Sequence, residues 1–86
     1  MNVTSLFRDT LNAIPKDVST QINWSFAIAD KIDARLKELG ITQKEFARRM
    51  GKTEAEVSRW LGGTHNFTLR TLSQISTTLG TNLIQV

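Results

Sequence analysis

The chain has 86 residues, which is enough for one small domain. It contains no cysteine, which excludes a disulfide framework and a thiolate metal site and is typical of a reducing cytoplasm. No apolar run approaches the roughly 20 residues that a membrane span needs, and the N-terminus lacks the basic start and long apolar core of a signal peptide. We therefore expect a cytoplasmic protein without a membrane contact, a metal or a cofactor.

The net charge of +3 is small, but its distribution along the chain is informative. Basic and acidic side chains cancel over residues 1–23 and again over residues 24–40. Residues 41–63 hold five basic side chains against three glutamates, and Arg70 adds one more positive charge. The excess therefore lies in one stretch, as a surface that binds phosphate groups requires, although any solvated face can carry such charges.

The N-terminal segment, residues 1–15, has the pattern of a short amphipathic helix. Apolar side chains recur at helical spacing over residues 2–14, and Pro15 then interrupts the pattern; the apolar residues are Val3, Leu6, Phe7, Leu11 and Ile14. One interpretation is that the segment packs across the domain or lies loosely on it. The other is that it docks on a partner protein.

A long helix is predicted next, from about Asp17 to Leu39, either continuous or broken near Asn23. One stripe of it is apolar, and Gly40 is expected to end it; the stripe consists of Val18, Ile22, Phe26, Ala29, Ile32, Leu36 and Leu39. Trp24 lies off the stripe. It is either a side chain at the rim of the core or, if exposed, part of an interface.

The stretch from Thr42 to Gly63 predicts two short helices joined by a tight turn. Each begins with a threonine followed three residues later by a glutamate, the pattern of a capping box; the pairs are Thr42 with Glu45 and Thr53 with Glu56. The first helix would run from about Gln43 to Met50, and Gly51 would end it with a positive φ. The second would run to about Leu61. Such a pair is a helix-turn-helix.

The apolar residues of this stretch indicate how the two helices meet. Each helix has one apolar face; the residues are Phe46, Ala47 and Met50 on the first and Val57, Trp60 and Leu61 on the second. The opposite side of the second helix, which faces outward, then holds Glu54, Ala55, Ser58 and Arg59. In a helix-turn-helix this outward side enters the DNA major groove.

The last part of the chain predicts a loop, a helix and a short end segment. The loop holds His65, which without cysteine nearby is a poor metal ligand and is expected to be a loop residue rather than a phosphate contact. Thr68 would cap a helix from Leu69 to about Leu79. Residues 81–86 favour a short strand or a tail. A strand there would pair with the same strand of a second copy or lie against the N-terminal segment.

The stretch from Leu39 to Gly63 resembles the DNA-binding domain of the lambdoid phage repressors and Cro proteins, the XRE family. The matching positions are Leu39, Gly40, Gln43, Glu45, Ala47, Gly51, Val57 and Gly63, followed by Leu72, Ile75, Leu79 and Gly80. The resemblance implies an all-α, lambda-repressor-like bundle of four to five helices, with the helix-turn-helix domain over residues 16–80. It also implies a homodimer on a palindromic operator in double-stranded DNA. Several relatives make the dimer contact with a fifth helix, for which residues 81–86 offer no room.

The candidate DNA contacts divide into phosphate contacts and base contacts. The phosphate candidates are Gln43, which resembles the family's backbone clamp, Lys44, Lys52 and Arg70, with Thr64, Asn66 and Thr68 as weaker ones. The base candidates are Glu54, Ala55, Ser58 and Arg59. Arg59 can hold guanine with two hydrogen bonds, Ala55 can touch a thymine methyl, and Glu54 can accept from cytosine. The alternative for Glu54 is a structural one, since the first turn of a helix favours an acid.

No catalytic motif is present, so we expect no enzyme. The first functional hypothesis is a sequence-specific DNA-binding regulator that acts as a repressor. The alternative is an antitoxin that resembles the HigA type, which covers a toxin protein and represses its own operon. The feature that suggests it is the N-terminal extension, residues 1–23, which a DNA-reading domain does not need.

Overall fold

The computed structural model describes residues 14–86, and within them four helices follow one another. They are α1 (Lys16–Leu39), α2 (Gln43–Met50), α3 (Glu54–Leu61) and α4 (Leu69–Leu79). The prediction of an all-α helix-turn-helix bundle is confirmed. The helix predicted over residues 2–14 lies, apart from Ile14, outside the described residues. No helix within residues 14–86 is both long enough and apolar enough to span a membrane.

Helix α1 is continuous through Asn23, so the first of the two interpretations of this stretch is correct. It begins directly after Pro15, whose carbonyl accepts hydrogen bonds from the N–H groups of Val18 and Ser19, both at 3.1 Å. It ends at Gly40, which has a φ of 68° and donates its N–H to the carbonyls of the last turn. A glycine reaches this left-handed conformation without the steric cost that a Cβ would add.

The three shorter helices all begin at a threonine. The side-chain oxygens of Thr42, Thr53 and Thr68 each accept a hydrogen bond from the N–H three residues later, at 3.1 Å. Each bond satisfies one of the N–H groups that a helix start leaves without a partner. The reciprocal half of the predicted capping boxes does not form among the described residues. The Glu45 carboxylate binds two arginines of its own helix instead.

The core lies where α1, α2, α3 and α4 meet. Helix α3 packs against α2 and α1, and α4 packs against α2. The residues with the least exposure are Phe46, Ile32, Ile75, Leu79 and Val57. Burying each side chain of this kind stabilises the fold by about 1.5–3 kcal/mol. A further tie joins the first and last helices, because Arg35 donates from Nε to the carbonyl of Leu79 at 2.8 Å.

Only part of the apolar stripe predicted on α1 is buried. Ala29, Ile32 and Leu36 lie in the core, whereas the rest of the stripe is partly exposed, namely Val18, Ile22, Phe26 and Leu39. The apolar stripe that the sequence predicts on this helix is therefore buried over only part of its length. The core formed with α2, α3 and α4 does not extend along the whole helix, although Ser25 is buried and Gly63 packs against Phe26.

The end segment, residues 81–86, forms a tail without a strand. Leu83 anchors it in the core at 2% exposure, and Ile84 and Val86 are exposed. The short strand considered for these residues is not formed. A strand needs a neighbouring backbone to share its hydrogen bonds, and no described segment lies alongside in that arrangement.

Candidate nucleic-acid interface

The turn between α2 and α3 takes only three residues, 51–53. Gly51 has a φ of 67°, and its N–H donates to carbonyls of the last turn of α2. The next N–H, of Lys52, donates to the carbonyl of Ala47 at 2.9 Å. Thr53 then caps α3. The turn is thus set by local hydrogen bonds and by one left-handed glycine, which fixes the angle at which α3 leaves α2.

One face of α3 is anchored in the core. Val57 is fully buried, and so is Ala47 on α2, the helix against which α3 packs; a side chain as small as that of Ala47 permits a close approach of the helices. The ring of Trp60 meets that of Phe46 edge-on, with centroids 6.1 Å apart. It meets that of Phe67 on its other side at 6.4 Å. Helix α3 is therefore held by aromatic contacts to α2 and to the loop that follows it.

The opposite face of α3 is exposed and holds the four side chains predicted to face outward. Glu54, Ala55, Ser58 and Arg59 are all exposed. The first two lie in the first helical turn, and the other two lie one turn later on the same side. An α-helix with its side chains is about 10–12 Å across, which fits the DNA major groove, about 12 Å wide. The exposed face thus has the dimensions of a groove-reading element.

The residues predicted to contact phosphates lie on the elements before and after α3 in the chain and are exposed as well. Gln43 and Lys44 begin α2, Lys52 lies in the turn, and Thr64, Asn66, Thr68 and Arg70 lie in the following loop and at the start of α4. The Thr68 hydroxyl is already used, since it accepts from the N–H of Thr71 and donates to the Thr71 hydroxyl at 3.0 Å.

The basic side chains of this region are not all equally free to bind phosphate groups. Among residues 14–86, the ion pairs use Arg35, Lys37, Arg48 and Arg49. Lys44, Lys52, Arg59 and Arg70 therefore have no acidic partner within that part of the chain. These four cations can neutralise phosphates without first breaking a described ion pair.

Arg48 and Arg49 are bound to Glu45 on the surface of α2. Arg48 makes two hydrogen bonds to the Glu45 carboxylate, at 2.8 and 2.6 Å, and Arg49 makes one at 3.1 Å. The hydrogen bond from Arg48, followed by the one from Arg49, lowers the pKa of Glu45 to about 2. The same pairing raises the pKa of Arg48. One carboxylate thus offsets part of the charge excess that the sequence places in this stretch.

A glycine in the loop between α3 and α4 packs against α1. Gly63 is buried, has a φ of 91° and lies so close to Phe26 that a Cβ at this position would be 2.3 Å from the ring. This contact could not be predicted from the sequence, because it joins two residues that lie far apart in the chain. His65 lies in the same loop, half-buried, with its ring edge-on to that of Phe67 at 4.9 Å.

Comparison with known proteins agrees with this geometry. Residues 32–86, about two thirds of the chain, match the model of a family described as helix-turn-helix. The chain belongs to the XRE-type helix-turn-helix family. The match begins inside α1 and includes α2, the turn, α3, the loop, α4 and the tail. No curated protein and no solved structure matched the chain. As a member of this family, the protein is a DNA-binding regulator.

Proposed function

We propose that the protein is a sequence-specific repressor that reads the DNA major groove with α3. The observation that supports this most directly is the division of α3 into two faces. Val57 and Trp60 hold one face in the core, and the other is exposed over its whole length. A rigid helix with one free face is what a groove-reading element requires, since its side chains must reach base edges from a fixed position.

Arg59 is the proposed main determinant of specificity. Its guanidinium has no acidic partner among residues 14–86, and it can donate two hydrogen bonds to O6 and N7 of guanine. Ala55 would contact a thymine methyl group, Glu54 would accept from a cytosine amino group, and Ser58 would bond to a neighbouring base edge. Of these, the bidentate arginine contact discriminates most strongly, by about 1–3 kcal/mol.

The surrounding polar residues would hold the protein in register on the DNA backbone. Gln43 and Lys44 at the start of α2 would contact one phosphate stretch. Lys52, Arg70 and the loop residues Thr64 and Asn66 would contact phosphates around α3. Thr68 would contribute through the start of α4, where backbone N–H groups carry partial positive charge. Such contacts position the protein without reading the sequence.

The proposed operator is palindromic and is bound by two copies. A dimer of this kind places its recognition helices about 34–36 Å apart, one helical turn of DNA. The tail is the proposed dimer contact. Leu83 fixes it to the core, while the exposed Ile84 and Val86 remain available to pair with the tail of the second copy.

The test of this proposal is DNA binding by the full chain with Arg59→Ala and a matched control. A preferred site is first selected from a pool of random duplexes. We expect Arg59→Ala to weaken binding to that site by about 5- to 150-fold and to relax the base preference at one position. The control is Lys37→Ala, which removes one positive charge from α1, where Lys37 pairs with Asp33 at 2.9 Å. Equal effects of the two substitutions would exclude Arg59 as a base contact.

The loss of a phosphate contact should affect DNA binding differently from the loss of a base contact. Lys52→Ala is expected to weaken binding to all duplexes by a similar factor. It should also reduce the slope of log affinity against log salt by about one. Binding by each variant is measured across a salt series on the selected duplex and on an unrelated one. A salt slope equal to that of the wild type would show that Lys52 does not lie on the DNA.

A second candidate function is an antitoxin, and a groove that is lined by none of the proposed base contacts favours it. The first half of α1 forms one wall of this groove, and the start of α4 and the tail form the other. Trp24 and Leu69, one on each wall, are 67% and 73% exposed. Large exposed apolar side chains along a groove are typical of a protein-binding site.

The antitoxin candidate is tested with the product of the neighbouring gene. Trp24→Ala and Leu69→Ala should each weaken its binding to the full chain, whereas Ser73→Ala, at an exposed position of α4 outside the groove, should not. Binding that is absent, or equally strong in all three variants, would reject this groove as a toxin site.

A further inference from the structure

The first half of α1 carries an apolar stripe that continues the core face of the helix but is not fully covered by the described residues, although the Gly63 backbone packs against Phe26. Val18, Ile22 and Phe26 follow one another at four-residue intervals and therefore lie on one side of the helix. They are 41%, 37% and 46% exposed. A stripe of this length on a helix is buried in a globular domain, so a segment that packs on it is missing from the described contacts.

The chain that precedes α1 has the matching pattern. Val3, Phe7 and Leu11 are also spaced by four residues. In an antiparallel arrangement the residues pair as Leu11 with Val18, Phe7 with Ile22 and Val3 with Phe26. Each step of four residues back along the segment corresponds to a step of four residues forward along α1. In α-helices both steps measure about 6 Å, so all three pairs would be in register.

The link between the two stretches is suited to a reversal of direction. Ile14 lies in a bend, and Pro15 has an extended conformation, with φ −56° and ψ 144°. A proline disfavours the helical conformation in the residue before it, so a preceding helix would end at about residue 13. Antiparallel helices are commonly joined by two to five residues, which is the length available here before α1 begins at Lys16.

We propose that the stripe of Val18, Ile22 and Phe26 is the docking surface of the chain's own N-terminal segment, residues 2–14, which packs on α1 as an antiparallel helical hairpin. The inference rests on the packing of α1 and is independent of the proposed repressor function. The occupant is the same chain rather than a second copy, because a short link gives the segment an effective concentration in the millimolar range. A second copy at micromolar concentration cannot compete with it.

The docked segment would support the loop that follows α3. Its third pair, Val3 with Phe26, lies next to Gly63, whose backbone is packed against the Phe26 ring. Thr64 and Asn66 follow directly in the chain. The hairpin would thereby hold Phe26 against the loop that carries these proposed phosphate contacts. An N-terminal segment used in this way is part of the DNA-binding domain and is not available to bind a toxin.

A disulfide experiment tests the proposed register, because the chain has no cysteine of its own. The full chain is prepared with the paired substitutions Phe7→Cys and Ile22→Cys. The control carries Ser5→Cys and Ile22→Cys. On a helix Ser5 lies about 200° around the axis from Phe7, although both are at a similar distance from Ile22 along the chain. After oxidation at micromolar concentration, the products are separated by size without reductant, and the rate of disulfide formation is measured.

We expect the Phe7 pair to form a disulfide within one chain at least ten times faster than the Ser5 pair. A disulfide-linked dimer would overturn the proposal, because it would show that the segment docks on a second copy. Equal rates for the two pairs, or no disulfide in either, would also overturn it, because the segment would then lack a fixed register on α1.

A second measurement avoids the stripe on α1 altogether. Phe7→Asp in the full chain should lower the melting temperature by about 4 °C or more, since it places a charge in the proposed contact. Ser5→Asp introduces the same charge on the opposite side of the segment and should leave the melting temperature within about 1 °C. Equal melting temperatures for the two variants would refute the docking.

Discussion

Replacing Gly63 by alanine tests how the loop after α3 is held. Two costs add at this position. The φ of 91° is unfavourable for a residue with a Cβ, and the new Cβ would lie 2.3 Å from the Phe26 ring. The conformational cost is about 1–2 kcal/mol. The overlap is with the side chain of Phe26, which is 46% exposed and can turn away, so it adds about 1 kcal/mol, the low end of the range for overpacking. We therefore expect Gly63→Ala to lower the free energy of unfolding by about 2–3 kcal/mol.

Two further variants separate these costs. Gly40 has a similar positive φ of 68°, but nothing lies within 4 Å of the position of its Cβ. Gly40→Ala should therefore show the conformational cost alone, about 1–2 kcal/mol. Phe26→Ala removes the ring, so Gly63→Ala made in that background should cost about as much as Gly40→Ala. The difference between the two backgrounds measures the contact between Gly63 and Phe26.

The assay is urea unfolding of the four variants and the wild type, followed by circular dichroism. The stability of each is obtained from the midpoint and the slope of the transition. Two results would refute the reasoning. One is a cost of Gly63→Ala no larger than that of Gly40→Ala, and the other is an equal cost of Gly63→Ala with and without Phe26. Either would mean that Phe26 moves away freely and does not fix the loop.

Two other predictions concern the helix ends. Thr53→Ala removes the acceptor for the Glu56 N–H and should lower the free energy of unfolding by about 1 kcal/mol, whereas Thr53→Ser keeps a hydroxyl and should cost little. Both variants are measured by urea unfolding. An equal loss of stability in the two variants would show that the cap contributes nothing. Glu45 has a pKa of about 2 in the folded chain against an ordinary 4.5, so its ion pairs stabilise the fold fully above about pH 4.5, and this contribution is lost as the pH falls towards 2. The difference in the free energy of unfolding between the wild type and Glu45→Gln should therefore be small, because the ion pairs of Glu45 lie on the surface. This difference should decrease between pH 5 and pH 2. A difference that stays constant over this range would show that the ion pairs do not stabilise the fold.

The helix boundaries in the helix-turn-helix region could be predicted from the sequence because they depend on neighbouring residues. Thr42, Thr53 and Thr68 cap their helices through bonds to N–H groups three residues away. Gly51 ends α2 because a glycine adopts the positive φ of a helix end at little cost, whatever lies elsewhere in the chain. The outward position of Arg59 also followed from the sequence, since a helix that buries Val57 and Trp60 must expose the opposite side.

Other features could not be predicted, because they depend on residues far apart in the chain. The apolar pattern on α1 is uniform, yet Ala29, Ile32 and Leu36 are buried while Val18, Ile22 and Phe26 stay partly exposed, since the lengths of the other helices decide how far the core extends. The partner of the Glu45 carboxylate could not be predicted for a different reason, because both of its possible uses, at the N-cap and with the arginines of its own helix, are local. The nearby arginines, and not the N-cap, bind the Glu45 carboxylate, because a charged hydrogen bond from a guanidinium is stronger than one from a neutral N–H.

The sequence by itself therefore determined the helices, their caps and the face of α3 that is exposed, because these depend on hydrogen bonds and side-chain spacing within about four residues. Only the tertiary structure decided that Gly63 supports Phe26, that Trp60 joins Phe46 to Phe67, and that the tail is held by Leu83 instead of forming a strand. Such contacts join residues separated by many positions along the chain. They depend on the angles and lengths of the packed helices, which no local pattern specifies.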